Sequence, residues 1–219
     1  GLVIGGVMMG KELTYQTYVR ASASQIQKYD TALITFKSKY NGFPGDMSNA
    51  QSFFGTTGVT NGNANGLFEN GSGTTTTVTG AYGGEYSQFW VHLGRPGLVE
   101  REYNNGTVAG TSFPVLKLNN AAIIATNCFL LEPDYRPCYN LRYGSLASAP
   151  SLDGMDTTRT TTPLDASQLD SKIDDGLPMT GRFRAHQESG GTCHNGVATY
   201  NLSQTTTTCR PEVIMPLSP

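Results

Sequence analysis

Apolar and polar positions divide this chain into unlike parts. Residues 1–10 are apolar or glycine throughout and carry no charge. The pattern then turns amphipathic: Leu13, Val19, Ile26, Tyr29, Leu33, Phe36 and Tyr40 recur, mostly at three- and four-residue steps from Ile26 onward. That is the period of one helix face. Gln25, Gln27, Lys28, Asp30, Lys37 and Ser38 fill the other face, and no proline interrupts. The pattern predicts one helix over residues 1–40, roughly 60 Å long at about 1.5 Å per residue. Residues 1–24 are expected to project and residues 25–40 to pack on a head. Asn41-Gly42 ends the helix, and Phe43-Pro44-Gly45-Asp46 has the proline and glycine of a type II turn.

Asp46 is placed to cap a short helix through Met47, Ala50, Phe53 and Phe54. Residues 1–54 then form the helix and its junction, and 55–219 the head. In residues 55–80, 19 of 26 positions are Gly, Asn or Thr, which predicts a long polar loop outside the core. Residues 85–93 predict a helix with Tyr86, Phe89, Trp90 and Leu93 inward and His92 on the surface. Candidate strands follow at 113–118, 121–131, 138–143, 181–186, 197–202 and 209–215. Clean alternation in 181–186 predicts one wet face. Thr162 as cap, Pro163 at the first helical position, Asp165 in the first turn and an inner stripe of Ala166, Leu169 and Ile173 predict a further helix. Asp174-Asp175-Gly176 closes it. The expected fold class is α+β: a long N-terminal α-helix, then a loop-rich head with an antiparallel β-sheet.

Charge and cysteines narrow the picture. A net charge of −2 with 15% charged residues gives no electrostatic footprint for nucleic acid. Cys128, Cys138, Cys193 and Cys209 form two local pairs without a Cys-x-x-Cys. That spacing argues against a zinc ribbon, a thioredoxin-type site and covalent haem. It predicts disulfides Cys128–Cys138 and Cys193–Cys209 in an oxidising compartment, with four buried thiols as the alternative. The apolar opening is shorter than the roughly 20 residues of a bilayer span, and it lacks the basic region and cleavage site of a signal peptide. It reads as the tail end of a longer membrane helix.

Candidate chemistry is sparse. His92, His186 and His194 form no metal-protease pair, and neither a Gly-x-Ser-x-Gly elbow nor a phosphate-binding loop occurs. The chain is therefore read as a non-enzyme. His186 and His194 with Cys193 would make a metal set only if Cys193 were unpaired. Asn61, Asn63, Asn65 and Gly66 sit at the spacing of a calcium loop, but amides replace the carboxylates and Ser72 stands at the twelfth position; an asparagine–glycine turn series is the simpler reading. Asp170, Asp174 and Asp175 gather at the negative end of a helix. Two readings stay open for them: a calcium site, since hard oxygen donors suit that ion, or acceptors that pin the turn at Gly176-Leu177-Pro178. Asn70, Asn105 and Asn201 head glycosylation triplets.

Several blocks carry a resemblance. Gly1-Leu2-Val3-Ile4-Gly5-Gly6-Val7 before an amphipathic helix resembles the middle of the N-terminal helix of type IV pilins and pseudopilins. Phe36 to Met47 resembles the helix-to-head junction of a bacterial prepilin-like subgroup. Gln88 to Leu93 with Gly97-Leu98-Val99, and Leu164-Asp165-Ala166 through Ile173-Asp174-Asp175-Gly176-Leu177-Pro178, are similar to that subgroup as well. In the family the mature chain starts with a methylated aromatic residue about a dozen residues before the position of Gly1, and a docking glutamate follows it a few residues later. No position here matches them.

The resemblance implies a structural subunit that polymerises with identical copies into a helical filament on the bacterial surface, after lodging in the inner membrane. Leu2, Val3, Ile4, Val7, Met8 and Met9 are its expected assembly residues. Buried between subunits, they would contribute on the order of 10 kcal/mol before ordering costs. The alternative of another class is a minor pilin or pseudopilin that binds a partner or assists secretion. Some pseudopilins hold calcium in a head loop, which bears on the three aspartates without carrying ligands over.

Overall fold

The structure, a computed structural model, describes residues 2–69, 83–128, 137–142, 160–187 and 191–216, with the backbone alone at 2–6 and 142. The α+β expectation is met by a long N-terminal helix followed by a small antiparallel sheet. Helix α1 (Leu2–Tyr40) runs unbroken for 39 residues. Thr14, Thr17, Thr31 and Thr35 turn their hydroxyls back to carbonyls four residues earlier, which satisfies the hydroxyls at a slight cost to the helix. Lys37 and Lys39 sit in the last turn, favourable for the dipole. Asn41 takes a left-handed conformation (φ 50°) and donates to the Lys37 carbonyl at 2.9 Å, which stops the helix.

Helix α2 is Ala50–Phe54, α3 is Gly84–Gly94 and α4 is Pro163–Ile173; the strands are β1 (Ala122–Asn127), β2 (Pro137–Arg142), β3 (Phe183–His186) and β4 (Arg210–Ile214). All pairings are antiparallel, in the order β1-β2-β4-β3. Thr162 caps α4 by accepting from the Asp165 N–H at 3.1 Å, with Pro163 at the helix start. Residues 113–118 and 197–202 make only isolated bridges, Phe113 to Ala109, Val115 to Ala122 and Tyr200 to His194.

The core lies between α1, α3 and one sheet face. Val19, Ile26, Tyr29, Leu33 and Phe36 of α1 are fully buried. The Tyr29 ring meets Trp90 edge-on at 4.8 Å and Tyr139 of β2 at 6.4 Å, and Phe89 stands 6.1 Å from Tyr139. Such aromatic geometry adds about 0.5–1.5 kcal/mol per pair beyond area burial.

Several expectations are corrected. Packing on α1 begins well before Gln25: Val19 is fully buried, and Tyr15 donates to Asp165 Oδ1 at 2.8 Å because α4 crosses this part of α1. Asp46 does not cap α2, whose cap position is Asn49; it accepts instead from the Asn65 and Gly66 N–H groups. Residues 55–69 are not outside the core, since Val59 and Phe68 are buried. His92 is not on the surface but fully buried. The outer face of β3 is not wet: Arg184 is half-buried and His186 is buried.

Candidate functional site

The proposed assembly face comes first in the chain. Val7 is 54% exposed, Met8 69%, Met9 73% and Leu13 68%. This is an apolar helix surface with no partner among the described residues. The side chains of Leu2, Val3 and Ile4 lie outside the described residues. No helix among the described residues is long and apolar enough to cross a membrane. Further along α1, a groove of about 870 Å³ runs between the helix and Leu98 to Glu100, lined by Ala21, Gln25, Lys28, Ala32, Leu98 and Val99 among others.

The junction is held by His92 of α3. Its Nδ1 accepts from the Gly45 N–H at 2.9 Å and its Nε2 lies 3.0 Å from the Thr60 carbonyl. The ring is therefore the neutral tautomer with the proton on Nε2. Burial pushes its pKa down to about 4. Gly45 has φ +89°, as a type II turn requires, and a Cβ there would lie 2.5 Å from the Glu85 carbonyl oxygen. Beside it three buried carboxylates gather. Glu85 accepts from the Asn63 and Glu69 N–H groups, and Glu69 accepts from the amides of Asn63 and Asn65. Burial first, and the neighbouring Asp46 and Glu69, push Glu85 up to about 7. Asn63 and Asn65 spend their own side-chain oxygens on Asx turns, accepting from Asn65 and Leu67. Asn61 to Gly66, the described part of the calcium-loop spacing, thus form a turn series over an acidic floor; Ser72 and the glycosylation candidate Asn70 lie outside the described residues.

Asp170, Asp174 and Asp175 do come together, with one carboxylate oxygen of each within 4.8 Å of the others. Asp174 Oδ2 accepts from the Arg182 and Phe183 N–H groups. Asp175 accepts from the Leu177 N–H and the Thr180 hydroxyl, which draw its pKa down. Asp170 accepts from Gly176 N–H and from the Tyr200 hydroxyl at 2.7 Å; burial nevertheless pushes it up to about 6. All three carboxylates hold the chain between α4 and β3. Each carboxylate offers about four acceptor sites, so oxygen lone pairs remain for a hard cation.

The cysteines divide. Cys193 and Cys209 form the expected disulfide, which removes Cys193 from any metal set with His186 and His194. Cys128 and Cys138 do not pair; both are free, buried thiols. The strand register explains the difference in position: Cys138 stands opposite Thr126, whose hydroxyl lies 3.6 Å from its sulfur, and Cys128 follows the end of β1. Burial, then the adjacent Cys128, pushes the Cys138 thiol well up. The same sheet face carries Glu212 and His186, both buried. Sequence reading missed Glu212; its signal was a lone acid inside the apolar run of residues 211–215. Comparison with family models, with curated proteins and with solved structures finds no match to this chain.

Proposed function

We propose that this chain is a pilin-like structural subunit that polymerises through α1 into an extracellular filament, with the inner membrane as its station before assembly. One observation carries the reading. The first turns of α1 extend past the part packed on the head, and Val7, Met8, Met9 and Leu13 are left largely exposed. An apolar helix end of this kind frays in water unless copies of itself or a bilayer surround it. A head-to-tail contact that does not close generates a helical filament. The resemblance of the junction block supports the same assignment. The groove beside Leu98 and Val99 favours a second reading, a minor pilin that binds a partner there. Electron microscopy of the natural full-length protein separates the two: homopolymeric filaments support the structural role, and a chain that never forms them contradicts it.

A further inference from the structure

The sheet face turned away from α1 holds a cluster of metal-binding side chains. Ladder register sets Asn140 and Arg184 on either side of Glu212, and Cys138 beside Ile214 two residues on. His186 of β3 lies two residues beyond Arg184 on the same face. One Sγ from each of Cys128 and Cys138 and a carboxylate oxygen of Glu212 all lie within 4.8 Å of one another. His186 Nε2 is 3.3 Å from Glu212 Oε2. All four side chains are at least nine-tenths buried, with exposures of 6, 0, 3 and 4% for Cys128, Cys138, Glu212 and His186. His186 Nε2 has no hydrogen-bond partner despite its approach to the carboxylate, so a buried nitrogen faces the cluster unsatisfied.

We propose that Cys128, Cys138, His186 and Glu212 form a binding site for one divalent cation of the zinc class. Two thiolates, an imidazole and a carboxylate make a borderline-soft donor set, whereas calcium and magnesium take oxygen. Around a tetrahedral zinc with bonds of about 2.0–2.3 Å, donor atoms lie roughly 3.3–3.8 Å apart; the Cys128, Cys138 and Glu212 atoms already lie within 4.8 Å of one another, and His186, 3.3 Å from the carboxylate, must swing toward the sulfurs to become the fourth ligand. The ligands are also steadied from outside. Asn140 Nδ2 donates to Glu212 Oε1 at 2.9 Å, leaving Oε2 as the oxygen beside His186. The Thr126 hydroxyl stands next to the Cys138 sulfur. Hydrogen bonds of this kind orient ligands and tighten metal binding about 10–100-fold. Arg184 and Arg210 share the face and offset the negative charge that remains after two thiols lose their protons to solvent and bind the ion as thiolates. Nothing in this site depends on filament assembly.

Cobalt titration of the full-length protein, with its thiols kept reduced by a non-chelating phosphine, tests the proposal. The expected result is one equivalent of Co²⁺ per chain, with thiolate-to-metal charge-transfer bands and the intense visible bands of a tetrahedral site, both erased by Zn²⁺. Cys138→Ser keeps only the weaker charge-transfer bands of a single thiolate, Cys128. Glu212→Gln and His186→Gln keep thiolate bands but bind at least tenfold more weakly. Should Cys138→Ser fail to fold, the other two variants and the zinc content of the protein as isolated decide. Absence of thiolate bands at saturating Co²⁺, unchanged affinity in Glu212→Gln and His186→Gln, or isolated protein carrying a Cys128–Cys138 disulfide and no metal would each overturn the site.

Discussion

Arg182 donates to Asp30 at 2.9 Å, tying the start of β3 to the middle of α1 across 152 residues of sequence. Asp30 is largely buried, and burial raises its pKa although the Arg182 charge opposes the shift. The pair therefore matters most when it is broken. Removing one partner of a buried pair strands the other. Arg182→Ala is expected to cost about 2 kcal/mol, at the low side because the arginine side chain is about a third exposed. Asp30→Asn in that background should recover part of the loss. Urea unfolding of the two variants checks both values.

Glu85 and His92 give opposite pH dependences. The folded carboxyl of Glu85 titrates near 7, above its ordinary 4.5. Its contribution is complete below about 4.5 and is lost as pH climbs through 7. The imidazole of His92 titrates near 4, below its ordinary 6.5. Its contribution is complete above about 6.5 and is lost as pH falls through 4. Between about 4.5 and 6.5 the two slopes oppose, so the wild type is flatter than either group alone would make it. Glu85→Gln removes one slope. Its stability should rise relative to wild type by about 2–3 kcal/mol from pH 4.5 to 7.5. A difference that stays constant across this range contradicts the assignment.

The cysteines make a countable prediction. Alkylation of the denatured protein without reductant, with metal chelated, should add two groups, at Cys128 and Cys138. Cys193 and Cys209 should react only after reduction. Four blocked cysteines would restore the second disulfide that the spacing suggested.

The three aspartates separate turn pinning from calcium binding. Asp174→Ala leaves two backbone N–H groups without their acceptor and should destabilise by about 2 kcal/mol. Turn pinning alone leaves the melting temperature of the wild type unmoved by calcium or chelator. A rise with calcium that Asp175→Asn abolishes would establish the ion, by linkage.

The two kinds of signal in the sequence were unequally informative. Regular helices announced themselves: the period from Ile26 to Tyr40 and the Thr162-Pro163-Asp165 start of α4 rest on local chemistry, and α1 and α4 follow it. Gly45 was legible for the same reason. What depends on distant strands was not. The alternation in 181–186 correctly marked a strand, but its outer face lies beside Glu212 and Arg210 of β4, which are far away in sequence, and His186 there is buried. His92 fell off the apolar stripe of its own helix and is buried by the loop around Thr60 instead. Cysteine spacing named one pair correctly; Cys128 and Cys138 are also brought close, within 4.8 Å, but stay free thiols, and spacing alone cannot report that they are unbonded.

The central claim is that the exposed apolar end of α1 drives assembly. Val7 stands in that surface at 54% exposure, and a carboxylate there would have to be desolvated between subunits at a cost of several kcal/mol. The direct measurement is the fraction of Val7→Asp protein found in sheared surface filaments by electron microscopy and quantitative blotting, alongside the melting temperature of its head. The account predicts a head that melts like the wild type and a variant absent from filaments; filaments of normal abundance and appearance built from Val7→Asp would contradict it.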